Sequence, residues 1–551
     1  KINGEGSIGP VTGNLMVKTP IIKEKSDLMI AARSSYSDWI LKSLDNEDLK
    51  NSKASFYDLY LKYSHKINSK NRVDVSSYLS NDNFNISRDS LYNHKNSFVA
   101  VKWSNEINDK TNLNVFYSYS NYRFNLEYNG LYDNSFDYLF SIRQNELGTK
   151  LNKNVSEKIK ISYGLSSKLY NLNPGELSPK DENSILQTIN IQKEKGLESG
   201  IYFSTIYNLN EDLTINSGLR ISNYLALGER TVNFYDSNYP RDEGSLLESK
   251  QYANNGIIKS YYGFEPRLSL RYKITENTAV KGSYDRTNQY IHLMSSNTTQ
   301  SPLDTWKTSD NNIKPQNADQ FSIGIYSNLS QSNLELSLES YYKKIHNILD
   351  YKTGADLFLN NAIETELLSG KGKAYGIEFL VKKQVGKLNG FLGYTYSRTF
   401  VKIQSQFPKD QINNGEYYPA NFDKPHDLSL VLNYKFTQRY SFSMNFNYQT
   451  GRPITYPVGK YVFSNSEYVL YSDRNAFRIP DYYRLDVGVN IEGNHKRKKL
   501  AHSFWNFSIY NLLGRNNPYS IYFVTENGDV KAYKTSIFSI PIPTLTYNFK
   551  F

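Results

Sequence analysis

Histidine is the side chain most often used for metal binding and acid–base catalysis, so the seven histidines are the first residues to consider. No two of them have the His-Glu-x-x-His spacing that binds zinc on a helix. His426 stands directly before Asp427, where a segment with the alternation of a β-strand begins. We interpret it as a hydrogen-bonding residue at the start of that strand. The seven are His65, His94, His292, His346, His426, His495 and His502.

Glycine-rich loops that bind phosphate need a strand before them and a helix after them. The pattern Gly-x-Gly-x-x-Gly occurs at Gly4, Gly6 and Gly9, with almost no chain before it and no helical periodicity after it. We interpret this as a chance match in a glycine-rich strand or turn. The segment Gly370–Lys373 lacks the spacing of a phosphate-binding loop. Neither a P-loop nor a Gly-x-Ser-x-Gly nucleophile elbow occurs.

The carboxylates also lack a catalytic or metal-binding arrangement. Glu335 and Glu339 fall on the same side of one predicted strand, whereas a glycosidase needs two carboxylates across a cleft. Cysteine is absent, which excludes thiolate chemistry and disulfides. We therefore predict no catalytic, cofactor-binding or metal-binding residue and no enzymatic activity. Four aspartates are scattered without the spacing of a calcium loop: Asp304, Asp310, Asp319 and Asp350.

Composition narrows the class of protein. Aromatic residues make up 15% of the chain and tyrosines number 48, although the mean hydropathy is -0.61. Disordered chains are equally polar but poor in aromatics. The longest apolar run, Leu28–Ala32, is far shorter than the ~20 residues of a membrane-spanning helix. The net charge of +11 is spread thinly except at His495–Lys499, which we expect in a solvated turn, so we predict no nucleic-acid binding.

Strict alternation of apolar and polar residues dominates the sequence. In the last segment, Leu545, Tyr547, Phe549 and Phe551 fall on one face, and polar residues fall on the other. A period of two is the period of a β-strand, because successive side chains point to opposite faces. The polar face carries so many charges that it suits a wet lumen better than a soluble protein's surface. Six further residues are expected to line that lumen: Arg72, Asp74, Arg271, Lys273, Arg484 and Asp486.

Short and long connections also alternate, as in bacterial outer-membrane barrels with short periplasmic turns and long extracellular loops. The pattern predicts an all-β, transmembrane, antiparallel β-barrel of about 22 strands. The segment 186–194 resembles a strand, but counting it would break the alternation of short and long connections, so we place it in an outer loop. Residues 40–49 resemble a short helical turn. The predicted strands start near residues 2, 12, 27, 56, 72, 97, 112, 142, 159, 200, 213, 264, 279, 318, 334, 374, 390, 427, 441, 483, 503 and 543.

An ordered set of sequence stretches resembles the barrel of TonB-dependent receptors, in particular the branch with a carboxypeptidase-regulatory-like domain before its plug. Near the N-terminus, GEGSIGPVTGNLMVKTPIIKEKSDLMIAARSSYSDWIL resembles the first three barrel strands. The C-terminal half is more specific. Its matching stretches are EPRLSLRYKI from Glu265, NIKPQNADQFSIG from Asn312, GKAYGIEFLVKK from Gly372, YPANFDKPHDLSLVLNY from Tyr418, TGRPITYPVGKY from Thr450, RIPDYYRLDVG from Arg478, YNLLGRNNPYSIYF from Tyr510 and IPTLTYNFKF from Ile542.

The resemblance implies several partners. It places the protein in the cell outer membrane, in contact with lipid and lipopolysaccharide. It implies a plug domain, which we expect upstream of this chain, with a separate plug chain or a mature protein without a plug as the alternatives. It also implies TonB in the periplasm, with residues 1–551 forming the barrel domain alone. The strand that ends in Leu545, Tyr547, Phe549 and Phe551 resembles the signal read by the barrel-assembly machinery. A surface lipoprotein or another outer-membrane protein is a further expected partner.

Two functions of different class follow, together with the weak alternative of an outer-membrane enzyme. The leading hypothesis is energised uptake of an unidentified ligand; the alternative is a structural or accessory barrel that serves as scaffold in a membrane complex. The transported ligand is left open among iron chelates, oligosaccharides, peptides and cobalamin. Ligand contacts are expected, if anywhere, in three aromatic loop segments, although packing among the loops explains them as well: Tyr235–Tyr239, Phe407–Tyr418 and Tyr456–Tyr471.

Overall fold

The computed structural model describes most of the chain. The described residues are 2–42, 50, 52–87, 89–130, 134–180, 182, 184–295, 304–464, 466–493, 501–518, 520–526, 529–536 and 540–551. The basic cluster His495–Lys499 lies outside them. Of the predicted helical turn at 40–49, residues 43–49 also lie outside, and a one-turn helix, α1, spans Asp38–Lys42.

One closed antiparallel sheet forms the body of the described chain. It contains 24 strands, and two of these have only two residues, which leaves 22 strands that build the wall. The predicted β-barrel of 22 strands is confirmed. In chain order they are β1 Asn3–Ile8, β2 Thr12–Ile22, β3 Ser26–Ser35, β4 Lys53–Lys66, β5 Asn71–Ser87, β6 Ser90–Asn108, β7 Thr111–Tyr128, β8 Phe136–Asn154, β9 Ile159–Pro179, β10 Glu194–Asn208, β11 Leu213–Leu227, β12 Ile257–Thr275, β13 Thr278–Gln289, β14 Gln316–Leu329, β15 Leu334–Tyr351, β16 Leu367–Lys383, β17 Leu388–Lys402, β18 His426–Lys435, β19 Tyr440–Gln449, β20 Tyr482–Glu492, β21 His502–Tyr510 and β22 Ile542–Lys550.

The barrel closes where the first strand meets the last. β1 pairs antiparallel with β22, with Gly6 opposite Phe549 and Ile8 opposite Tyr547. The N–H of Gly4 also donates to the carbonyl of Phe551 over 3.0 Å, and the N–H of Phe551 donates back over 2.9 Å. Closure removes the open edges that an unpaired strand would present to lipid.

Each strand has an apolar face outside and a polar face inside. On β13–β16, one outward row runs through Val280, Ile325, Leu338 and Phe379, which lie opposite one another in register. The adjacent inward row on the same four strands is Lys281, Gly324, Glu339 and Glu378. This arrangement puts apolar groups against hydrocarbon and charges in the lumen, as the alternation predicts.

The connections keep the predicted asymmetry. Most of the inner turns are two to four residues long, such as 276–277 and 436–439. The outer connections include 228–256, 290–315 and 450–481. The strand-like segment at 186–194 contributes Ile189–Asn190, which pairs with the outer end of β9 inside an outer connection. No described helix has the length and apolarity that would take it across a membrane.

Strand starts at the inner ends match the predictions to within two residues, whereas starts at the outer ends are predicted up to seven residues late. β6 begins at Ser90 rather than 97, β12 at Ile257 rather than 264, and β16 at Leu367 rather than 374. The reason is physical. β9 has 21 residues, about twice the ~9–11 that cross a bilayer, so its outer part lies beyond the apolar band. There the inward residues Tyr170 and Leu172 are buried, so apolar residues are no longer confined to the outward face and the alternation used for prediction is lost.

The glycines near the N-terminus have a structural role at the barrel seam. A Cβ on Gly6 would lie 2.7 Å from the ring of Phe549 and 2.8 Å from the carbonyl of Asn14. A Cβ on Gly4 would lie 2.6 Å from the ring of Phe551. Both aromatic rings therefore cross over glycines of the first strand, which explains Gly4 and Gly6 by packing rather than by phosphate binding.

We predict that Gly6→Val weakens the seam, because the new side chain collides with a ring and with backbone. Overpacking of this kind costs about 1–3 kcal/mol. The measurement is the temperature at which the folded barrel loses its fast migration in unboiled gel samples. The matched control is Gly282→Val on β13, where the nearest atom to a new Cβ is 3.9 Å away. Equal melting of both variants would contradict the predicted role of the seam.

Candidate functional site

The six residues predicted to line the lumen all lie on the inner face. Arg72 and Asp74 form an ion pair of 2.7 Å, and Arg484 and Asp486 form one of 2.9 Å. Arg271 and Lys273 alternate with the exposed outward residues Leu270 and Tyr272 of β12. These pairs line a wet wall and do not converge on one point.

The two glutamates of β15 share a face but not a partner. Glu335 pairs with Lys382 of β16 over 3.2 Å. Glu339 accepts a hydrogen bond from the hydroxyl of Tyr326 on β14. They therefore bind separate neighbours instead of acting as one carboxylate pair. The Nδ1 atom of His426 and the hydroxyl of Tyr394 form a hydrogen bond of 2.8 Å. This agrees with the predicted hydrogen-bonding role of His426 at the start of its strand.

A buried ion network ties the outer connections 228–256 and 290–315 to the outer end of β10. The Nζ of Lys307 lies 2.6 Å from Glu194 and 2.8 Å from Asp310. Arg230 lies 2.9 Å from Asp310, and the N–H of Thr308 donates to Glu194 over 2.7 Å. The four charged side chains are only 5–6% exposed. Burial alone would raise the pKa of Asp310, but Lys307 and Arg230 hold that pKa below its ordinary value.

A second network joins β15 to the connections 403–425 and 450–481. Arg474 lies 3.0 Å from the carboxylate of Asp350, and the hydroxyl of Tyr418 donates to the same carboxylate. Asn475 donates to the side chain of Asn421 over 2.7 Å. Because these residues come from distant parts of the chain, the two connections are held as a packed layer above the lumen.

Beneath that layer, the inner wall of β13–β17 and the outer connections enclose a cavity of about 790 Å³. The wall contributes Gln320, Tyr341, Lys343 and Glu378, all from inward positions. The outer end of β15 adds Asp350 and Tyr351, and the connections add aromatic, amide and charged groups: His292, Asn421, Phe422 and Arg452. A cavity of this size falls within the range of small-molecule binding sites.

The cavity carries both signs of charge. Lys343 and Arg452 supply positive groups, and Asp350 and Glu378 supply negative ones. Burial lowers the pKa of His292 to about 4, so this imidazole is neutral at pH 7. Its Nε2 lies 2.9 Å from the hydroxyl of Ser309. The lining therefore suits a polar ligand of low net charge better than a polyanion.

The aromatic loop segments predicted as ligand contacts separate in the structure. Tyr235 and Phe407 line a smaller cavity of about 530 Å³, with Arg241 and Asp410. Tyr418 is buried in the loop layer, and Tyr461 lies in an exposed hairpin. The residues that line the larger cavity were not predicted from the sequence. Alternation places Tyr341 and Lys343 in the lumen with Glu339, but the loop residues above them carry no comparable signal.

We predict that Lys307→Met loosens the outer connections, because it leaves Glu194 and Asp310 buried without their cation. Breaking a buried charge pair costs about 3–5 kcal/mol. Amide hydrogen exchange should accelerate across 304–313 and 230–235. The control is Lys409→Met, which removes an exposed pair with Asp242 and should leave exchange in both segments unchanged. Unchanged exchange in the Lys307 variant would refute the anchoring role.

A family model described as "TonB dependent receptor-like, beta-barrel" matches residues 33–512. No curated protein gives a significant match to the chain.

Three solved structures with the same fold are bacterial receptors. One is the ferric-catecholate import receptor Fiu of E. coli K12 in its closed form, with 15% identity, a TM-score of 0.66, and coverage of 100% of this chain and 81% of that chain. The ferripyoverdine receptor of Pseudomonas aeruginosa, bound to ferripyoverdine, has 12% identity, a TM-score of 0.65, and coverage of 100% and 72%. The siderophore receptor PiuA of Acinetobacter baumannii has 12% identity, a TM-score of 0.66, and coverage of 100% and 81%. At these identities the likeness concerns the fold.

Proposed function

The chain belongs to the TonB-dependent receptor-like β-barrel family, and from that premise we propose that the cavity beneath its outer loops is where the receptor binds its ligand. The protein is the barrel of an outer-membrane transport receptor, and its structural relatives are transport receptors rather than enzymes. We extend this to the chain itself and infer that it carries no catalytic activity.

The observation that carries the proposal is the position of the cavity. It lies between the inner wall and the loop layer, so a ligand that arrives from outside meets it before it reaches the lumen. Tyr341, Tyr351 and Phe422 offer rings, and Gln320 and Asn421 offer amides. Rings stack on apolar faces of a ligand, and amides fix its orientation through hydrogen bonds. The proposed ligand is a polar molecule of low net charge.

Transport then requires a gate inside the barrel. We propose that a plug domain upstream of this chain fills the lumen and that TonB moves it. Barrels of 22 strands in outer-membrane transporters enclose a plugged lumen. The inward charges support this, because rows such as Lys281, Glu339 and Glu378 offer ion pairs and hydrogen bonds to a folded polar domain.

Three narrower proposals concern the surroundings of the barrel. We assign the chain to the branch with a carboxypeptidase-regulatory-like domain before the plug, on the strength of its ordered motifs. We propose that β22, with outward Leu545, Tyr547, Phe549 and the terminal Phe551, is read by the barrel-assembly machinery. Its place at the seam supports this, because closure depends on β22 pairing with β1.

A surface lipoprotein is the proposed partner of the outer loops. The hairpin formed by Pro457–Phe463 and Ser466–Tyr471 exposes a row of large apolar side chains, with Val462 at 69% and Phe463 at 67%. Exposed apolar groups gathered in one hairpin favour a protein contact. The hairpin belongs to the connection 450–481, which also holds Arg474 of the loop layer.

We predict that Lys343→Ala in the full-length receptor weakens ligand binding about 10- to 100-fold, because a charge-assisted hydrogen bond contributes on the order of 1.5–3 kcal/mol. Calorimetry would use a panel of a ferric siderophore, cobalamin, an oligosaccharide and a short peptide. Uptake of the bound member should require TonB in cells.

The matched control is Lys110→Ala in the inner turn 109–110, which should bind as the parent does. Binding of a panel member that is unaffected by Lys343→Ala would place the site elsewhere. Failure of every member to bind, together with stable co-purification in a multi-protein assembly, would favour the scaffold function.

A further inference from the structure

A group of lysines lies on the outward face of the barrel, near the outer ends of β15, β16 and β17. Lys344 of β15 lies directly opposite Lys373 of β16, and Lys371 of β16 lies directly opposite Lys402 of β17. These four residues are called the lysine patch below. Inward neighbours such as Gly372 and Ala374 are buried, whereas Lys344 and Lys371 are exposed on the other face.

Two directly opposed pairs of like charge are unfavourable in an isolated sheet. Side chains in such positions have Cβ atoms about 4.5–5.5 Å apart, and like charges there destabilise the pairing. Within the described residues, none of the four lysines forms an ion pair with a carboxylate. The patch therefore holds concentrated positive charge that an anion would neutralise.

The ammonium groups of Lys373 and Lys402 lie over the same aromatic ring. The Nζ of Lys373 lies 4.1 Å from the ring centroid of Tyr417, and the Nζ of Lys402 lies 5.6 Å from the same centroid. Lys373 also lies 5.6 Å from the ring centroid of Phe400. Cation–π contacts of this kind orient ammonium groups without neutralising them.

Two acidic residues beside the patch are paired with other cations, including Asp319, which lies directly opposite Lys344 in register. On one side, Arg286 lies 3.5 Å from Asp319, and His346 lies 4.0 Å from the same carboxylate. On the other side, Arg398 lies 3.3 Å from the buried Asp423. Asp319 and Asp423 are therefore compensated by Arg286 and Arg398, and the four lysines keep their positive charge.

The patch stands at the level where lipid headgroups begin. Ten residues of tilted strand separate Leu334, at the inner end of β15, from Lys344, which is a height of about 25 Å and equals the apolar band of such barrels. Directly below the patch, a row of outward aromatic residues marks the membrane interface: Tyr284, Phe321, Tyr342 and Tyr375.

We propose that the lysine patch binds the phosphate groups of the glycolipid that forms the outer leaflet, lipopolysaccharide. The occupant follows from three observations: the outward face, the height at the edge of the apolar band, and positive charge that forms no ion pair with a carboxylate of the described residues. Lysine is a strong phosphate ligand as a point charge. The site faces away from the ligand cavity on the inner wall, so it is independent of the proposed transport function.

The test uses the full-length receptor in detergent with two lysine-to-glutamine triple variants. The patch variant carries Lys344→Gln, Lys371→Gln and Lys373→Gln. The control variant carries Lys150→Gln, Lys160→Gln and Lys168→Gln on the inner wall of β8 and β9, with the same change of charge. Native mass spectrometry would measure binding of purified bisphosphorylated lipid A, its dephosphorylated form and phosphatidylglycerol. Retained heat-modifiable migration confirms that both variants are folded.

We expect the patch variant to bind bisphosphorylated lipid A about 100-fold more weakly, since each lysine near an anionic lipid surface contributes roughly a factor of five. The control variant and a Lys→Arg version of the patch should bind as the parent does. Dephosphorylated lipid A and phosphatidylglycerol should bind the parent weakly. The proposal is overturned if the two glutamine variants bind alike, if removal of the phosphates has no effect, or if the patch instead retains a protein during purification.

Discussion

The requirement that every backbone polar group be paired inside a bilayer governs this structure. Hydrocarbon offers no hydrogen bonds, so each N–H and C=O at membrane depth must find a partner in the sheet. The chain meets this demand by closing β1 on β22. The closure in turn depends on close contact at the seam, where Gly4 and Gly6 leave room for the rings of Phe551 and Phe549.

In the closed barrel, the two faces of each strand lie in different environments. Its outward residues contact lipid and its inward residues line a wet lumen, so one period-two pattern produces both surfaces. The strands extend beyond the bilayer on the outside, and there the same backbone carries the loop layer. Two buried ion networks, centred on Lys307 and on Asp350, fix that layer over the cavity. Binding and membrane insertion thus occupy different segments of the same strands.

The sequence predicted what depends on local alternation. The inward charges of Arg72 and Arg484 and the outward faces of Tyr547 and Phe549 follow from period two alone. The outer strand ends, such as the start of β6 at Ser90, were missed because inward residues there are apolar and buried, as Phe124 and Leu126 of the adjacent β7 are, so the apolar face is no longer only the outward one.

The residues of the cavity and the ion pairs that hold the loops above it could not be predicted from alternation. Lys307 pairs with Glu194, 113 positions away, and only the closed barrel brings the two together. Phe422 and Arg452 join Lys343 for the same reason, because they come from separate connections that meet above the lumen. Alternation predicts that Lys343 faces inward, but it does not predict that Lys343 lines a cavity.

The central claim is that this barrel is the wall of a gated receptor. The most direct test is the ionic conductance of the full-length receptor in a planar bilayer, without ligand or TonB. The account predicts a closed membrane with no steady current, because a folded plug fills the lumen. A large, constant conductance through the full-length protein would contradict it, since an open lumen of 22 strands would act as a channel.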